Sequence, residues 1–266
     1  MGFRSWRELV REPGSERHLV QLYREPSFLA NAVAGWALPA LERGGCAILI
    51  GVPANTALVF ARLQEEGIDV DAVREEGRLV VVDASWLLAQ FMAGRSPDAE
   101  RFKAHVVAIL DAAREARRVP DAEIRAWGEM VNLLWQNGNA PAAQALETMW
   151  NEVIDAQPGL RLLCSYALDN LDPGTHAGAL HDVCAGHSQL IPEEDEARFE
   201  IALGDALVDV FGEQEAGIVR TLFARQRRMP ITMPPAEAVL VALHETQPEV
   251  AKRVLSSTKA NLEGAS

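Results

Sequence analysis

Four short runs of almost continuously apolar residues constrain the fold of this chain more than any other feature. They are Cys46 to Gly51 (CAILIG), Leu79 to Asp83 (LVVVD), Ile124 to Trp127 (IRAW) and Leu160 to Tyr166 (LRLLCSY). A strand with water on one face alternates apolar and polar side chains, whereas these runs need cover on both faces. Segments of helical period lie between them, at 28–43, 55–66, 85–93, 98–118 and 141–156, with 175–187 after the last. The order βαβαβαβα predicts an α/β fold, a parallel sheet flanked by helices, with right-handed connections.

The composition shifts after Pro192. An acidic start, Glu193-Glu194-Asp195-Glu196, suits the positive end of a helix dipole, and 197–211, 213–227, 235–245 and 247–262 read as helices. Three parts are expected: an N-terminal segment 1–17, an α/β domain 18–192, and an all-helical appendage or cap 193–266. The apolar residues Ile201, Leu203, Leu207, Val208 and Phe211 call for a surface to bury against. Arg225, Arg227 and Arg228 read as a solvated basic turn.

Charge and cysteine usage exclude several classes. With 25 Lys and Arg against 38 Asp and Glu, the net charge of −13 opposes a phosphate backbone, so direct nucleic-acid binding is not expected. No stretch approaches the roughly 18 apolar residues of a membrane span. Cys46, Cys164 and Cys184 show no paired spacing, and the N-terminus is charged throughout with no apolar run before a cleavage site. A reducing cytoplasm is the expected location.

Open α/β sheets bind ligands beyond the carboxyl ends of their strands. After the first run, GVPANTAL stands where a P-loop would place GxxxxGK[ST], but the second glycine and the lysine are missing and the nearest lysine in sequence is Lys103. ATP hydrolysis is therefore not expected, although a helix start there still offers N–H groups to an anion. Asn55 and Thr56 read as caps of that helix, and Asp83, followed by Ala84 and Ser85, reads as the next cap. Glu129, between IRAWG and the apolar Met130 to Trp135, is a partly buried carboxylate that needs a partner, with Arg125 as one option. His181, Cys184 and His187 invite a metal reading. Six helical residues turn about 600°, however, which leaves the two histidines about 120° apart, and no CxxC or HExxH accompanies them. Neither a metal nor a cofactor is expected, and Cys164 and Cys184 read as small buried hydrophobes.

Five motifs in order resemble one family: His18 to Tyr23 (HLVQLY), Trp127 to Val131 (WGEMV), Ala145 to Asn151 (ALETMWN), Leu163 to Tyr166 (LCSY) and Cys184 to Pro192 (CAGHSQLIP). Together they resemble the MEDS family, the DcmR-like sensory domain named from methanogens and methylotrophs, over about 18–192. The resemblance implies a degenerate RecA/KaiC-like fold with its Walker motifs lost, and a role in perceiving small organic molecules. The positions matching its motifs are His18, Tyr23, Glu129, Cys164 and Tyr166; Asn55, Thr56 and Asp83 join them as candidate ligand-binding residues from the strand ends.

Members of the family are often joined to a DNA-binding or histidine-kinase module, and no such motif follows residue 192. The expected function is thus a non-catalytic sensory or signalling domain that binds a small organic ligand at the carboxyl edge and acts on a regulatory protein partner in trans. Homodimerisation is expected from the prevalence of two-fold assemblies. Two alternatives stand beside it. One is a small-molecule enzyme on a degenerate ATPase scaffold, with Glu129 as base and Tyr166 or His18 as proton partner. The other is an interaction scaffold that keeps a nucleotide for structure.

Overall fold

The computed structural model describes residues 4–167, 183, 186–223 and 231–264. The chain divides into one unit of Arg7–Ala167 and a second of Leu168–Ser266 with Met1–Trp6. The expected α/β class with a helical C-terminal part is what the structure shows.

Within the first unit the element order is α1 (Trp6–Arg11, which straddles the boundary), β1 (His18–Tyr23), α2 (Pro26–Glu42), β2 (Cys46–Gly51), α3 (Pro53–Glu65), α4 (Val70–Glu75) and β3 (Leu79–Asp83). It continues with α5 (Ala84–Phe91), a two-residue hairpin β4 (Met92–Ala93) and β5 (Ser96–Pro97), α6 (Ala99–Glu115), β6 (Ile124–Gly128), α7 (Met130–Gln136), α8 (Ala140–Ala156) and β7 (Leu160–Ala167). The strands lie side by side in the order β3-β2-β6-β7-β1, each parallel to its neighbour. The four apolar runs are four of these strands. The fifth, β1, precedes them: its His18 and Gln21 break the apolar pattern, yet all six of its residues are buried.

Register fixes which side chains share a face, because alternate residues of a strand point to opposite sides. Cys46, Ala126, Leu162, Cys164, Tyr166 and His18 fall on one face by their pairing, and α6 and α8 cover it. Its core carries an edge-to-face stack in which Phe102 lies between Phe91 and Trp150, with ring centroids 5.3 and 5.1 Å apart. Gln21, Tyr23, Ser165, Arg125 and Trp127 fall on the other face, where α2 packs and α3 packs on α2. Trp127 leaves no room beside it. A Cβ on Gly51 would stand 2.4 Å from its ring, so only glycine lets β2 pass this close.

Arg125 does not pair with Glu129. Its guanidinium binds Glu123, the carbonyls of Val10, Arg11 and Trp36, and lies 4.9 Å over the Trp36 ring. Arg125 is near the amino end of β6 and Glu129 follows its carboxyl end, about 13 Å away at 3.3 Å per residue.

The second unit contains a short strand β8 (Gln189–Leu190), bridged in parallel to Thr232, and helices α9 (Glu196–Phe211), α10 (Glu213–Phe223), α11 (Pro235–Thr246) and α12 (Pro248–Gly264). It has its own apolar core, in which Phe199, Leu203 and Leu207 of α9 meet Val239, Leu240 and Leu243 of α11 and Val254 and Leu255 of α12. Ile201 and Val208, expected to be covered, are exposed. Leu203 and Leu207, four apart, define the inward face, and Ile201 lies about 200° round the helix from Leu203. The expected helix at 175–187 with its His181 and Cys184, and the basic turn of Arg225, Arg227 and Arg228, lie largely or wholly outside the described residues.

Candidate functional site

The chain reverses its direction across the sheet between β2 and β6. From β2 it passes through α3 on one face to β3, and from β6 it passes through α8 on the other face to β7. Open α/β sheets bind their ligands at such a reversal, in the crevice beyond the carboxyl ends of the two strands, which makes the ends of β2 and β6 the place to look.

Glu129 follows the carboxyl end of β6 at this reversal and is 1% exposed. Its Oε2 accepts the backbone N–H of Val52 at 2.9 Å; its Oε1 accepts the Asn55 amide at 2.6 Å and the Tyr23 hydroxyl at 3.2 Å. One carboxylate thereby ties the ends of β1, β2 and β6 together. Burial pushes the Glu129 carboxyl above its ordinary range, against the pull of these three donors. The Tyr23 phenol is pushed up as well, first by burial and then by the Glu129 charge. Close by, the Thr56 hydroxyl is buried and has no hydrogen-bond partner among the described residues.

The local geometry differs from the helix start read in the sequence. Helix α3 begins at Pro53, with Val52 as the N-cap and no capping side chain. Proline at the first helical position, with its φ preset, starts the helix earlier than Asn55 and Thr56 would have. Those two residues are therefore inside the first turn, where Asn55 serves Glu129 instead of a cap. Only Val52 separates β2 from α3, and the Glu129 carboxylate receives the Val52 N–H at this turn.

A second buried cluster occupies the opposite face of the sheet, under α8. The His18 ring places Nδ1 2.8 Å from Asn151 Oδ1, and Nε2 3.3 Å from Glu147 Oε2 and 3.4 Å from Cys164 Sγ. The Cys164 thiol is 3.5 Å from the same Glu147 oxygen, while the Tyr166 hydroxyl donates to Glu147 Oε1 at 2.7 Å. His18, Glu147, Cys164 and Tyr166 are all buried. Burial, and then the Glu147 charge, push the Cys164 thiol well above its ordinary value.

The eight candidate residues thus separate. Tyr23, Asn55 and Glu129 meet at the carboxyl ends of β1, β2 and β6, with Thr56 on the same turn as Asn55. His18, Cys164 and Tyr166 meet on the other face around Glu147. Asp83 joins neither by any hydrogen bond among the described residues: it is exposed and accepts the Trp86 N–H at 2.8 Å, capping α5. Glu147 was not among the candidates. Its signal was a charge on the apolar stripe of α8, in step with Ala143, Leu146, Trp150 and Ile154.

The family model described as the methanogen/methylotroph, DcmR sensory domain matches residues 17–188, which include all five parallel strands and both clusters. The chain belongs to the MEDS family. No curated protein and no solved structure matches it. MEDS domains are sensory, and every motif position that carried the resemblance lies within the matched span except the last few residues, Gln189 to Pro192. Among the described residues no helix is long and apolar enough to cross a membrane.

Proposed function

We propose that the chain is a non-catalytic sensor that binds a small, uncharged organic molecule in the crevice between β2 and β6 and passes the signal to a partner protein. The observation that carries this reading is the Tyr23–Asn55–Glu129 cluster at the reversal of the sheet, with the Thr56 hydroxyl, which has no hydrogen-bond partner among the described residues, on the turn beside it. No cation accompanies that cluster in any hydrogen bond among the described residues. A carboxylate or phosphate ligand would meet the Glu129 charge, whereas an alcohol, ketone or amide can exchange hydrogen bonds with a hydroxyl and a phenol. Nucleotide binding is disfavoured on the same ground, since the protein's own carboxylate takes the N–H at the α3 start. A distant relation to RecA/KaiC-like ATPases belongs to this reading, supported by the glycine-ended β2 turning directly into α3.

Exposed Ile201 and Val208 on α9, and Ile218 and Leu222 on α10, support contact with a protein partner or a second copy. The test is native mass spectrometry of the purified chain, followed by thermal-shift titration with short alcohols, ketones and amides against carboxylates and nucleotides. Selective stabilisation by the neutral compounds, lost in Tyr23→Phe, is expected. Stabilisation by nucleotides or carboxylates alone would overturn the reading.

A further inference from the structure

We propose that His18 Nε2, Glu147 Oε2 and Cys164 Sγ hold a divalent transition metal ion, with zinc the best match to the donor set. This goes beyond the sensory reading and does not rest on the crevice. The three atoms form a triangle with edges of 3.3, 3.4 and 3.5 Å. For a tetrahedral ion with bonds of about 2.0–2.3 Å, neighbouring donors stand roughly 3.3–3.7 Å apart. Hydrogen bonding alone explains the spacing less well, since 3.3 Å is long for N–H···O contacts, whose usual separation is about 2.9–3.0 Å.

The surroundings are arranged as metal ligands require. Asn151 Oδ1 is placed to accept a proton on His18 Nδ1, the tautomer that turns the Nε2 lone pair toward the carboxylate and the thiol. Tyr166 donates to Glu147 Oε1 and so orients Oε2 toward the other two donors. Binding would release the thiol proton of Cys164 to solvent and leave a thiolate on the ion. One imidazole, one carboxylate and one thiolate favour zinc over magnesium or calcium, which take oxygen donors. Three elements distant in sequence, β1, α8 and β7, would then be joined through one ion.

The full chain, purified under reducing conditions, is assayed for metal by mass spectrometry, stripped with a chelator and titrated with cobalt(II) or zinc alone. Uptake of one equivalent with a thiolate-to-cobalt charge-transfer band is expected. Cys164→Ser should abolish that band, and Tyr166→Phe, which spares all three donors, should keep it while weakening binding roughly 10–100-fold. Should Cys164→Ser fail to fold, wild type decides: metal removal should lower its melting temperature and re-addition restore it. A folded wild type that takes up neither ion, or a band that survives in folded Cys164→Ser, overturns the proposal. No organic ligand enters these measurements, so their failure is distinct from failure of the sensory reading.

Discussion

Replacing Glu237 with glutamine should stabilise the helical unit, by an amount that grows with pH. Glu237 is in the first turn of α11 and 4% exposed, and its Oε2 has no hydrogen-bond partner among the described residues. Burial, followed by the charges of Glu193 and Glu196, raises its carboxyl from the ordinary 4.5 to about 8, against the pull of the Glu237 and Glu193 backbone N–H groups. The folded state therefore holds this proton more tightly than the unfolded one. Its contribution is fully present below pH 4.5 and is lost as pH rises to about 8.

At about 1.4 kcal/mol per pH unit the loss is about 3 kcal/mol at neutral pH and approaches 5 kcal/mol above pH 8. Glutamine keeps the shape and the carbonyl acceptor but cannot ionise. Wild type and Glu237→Gln should thus be nearly equal at pH 4.5 and diverge above it. Amide exchange of peptides covering 235–262, compared between the two full-length proteins at each pH, isolates this unit. A pH-independent difference, or a variant less protected than wild type at pH 8, would refute the reasoning.

Four further outcomes are expected. Gly51→Ala should cost about 1–3 kcal/mol in thermal unfolding and alter tryptophan fluorescence, because the new methyl group meets the Trp127 ring at 2.4 Å and Thr56 Oγ1 at 2.9 Å. Glu129→Gln should cost about 1.5–3 kcal/mol, since its amide must face the Val52 N–H or the Asn55 amide; unchanged stability in denaturant would show that the carboxylate does not tie the strand ends. Trp36→Phe should lose about 1–3 kcal/mol, through the hydrogen bond from Nε1 to the Ala126 carbonyl and the weaker ring under Arg125, as read by urea unfolding. Asp83→Ala should cost about 1 kcal/mol through the α5 cap and leave the thermal response to neutral ligands intact; loss of that response would bring Asp83 into the site.

What could be read from the sequence was whatever a local pattern encodes. Strands β2 and β3 begin and end at the residues expected, and β6 and β7 run one residue further, because unbroken apolar runs mark strands buried on both faces. Strand β1 escaped that pattern because His18 and Gln21 interrupt it. Both are buried, and they find partners only through the fold: His18 at Asn151 and Cys164, Gln21 at the Phe28 carbonyl and Ser165. Helices α4 and α7 are six and seven residues long, too short to establish a period. Glu129 was legible as a buried carboxylate, yet its partners were not. Tyr23 and Asn55 come from elements 106 and 74 residues away in sequence, and the nearer Arg125 is turned to the other end of the strand.

The parity of β1 and β7 explains why the motif residues form two groups instead of one. The strands pair in register, Val20 with Cys164, Gln21 with Ser165 and Leu22 with Tyr166. Even-numbered positions therefore bring His18, Cys164 and Tyr166 under α8, and odd-numbered ones point Gln21, Ser165 and Tyr23 to the face of α2. A polar line runs through that second face, in which Trp127 donates to Ser165, Ser165 to Gln21, and Gln21 to the Phe28 carbonyl. A one-residue slip of β1 against β7 would send His18 to the α2 side and Tyr23 to the α8 side, breaking both clusters at once. A ligand that draws Tyr23 away from Glu129 acts on the last residue of the strand whose first residue is His18. If an ion fixes His18 to Cys164 and Glu147, that slip becomes costly, and movement at Tyr23 must be taken up at the carboxyl end of β1 and the Arg24-Glu25 link to α2. That placement makes the start of α2 the element expected to change its amide exchange when a crevice ligand binds to the metal-loaded chain.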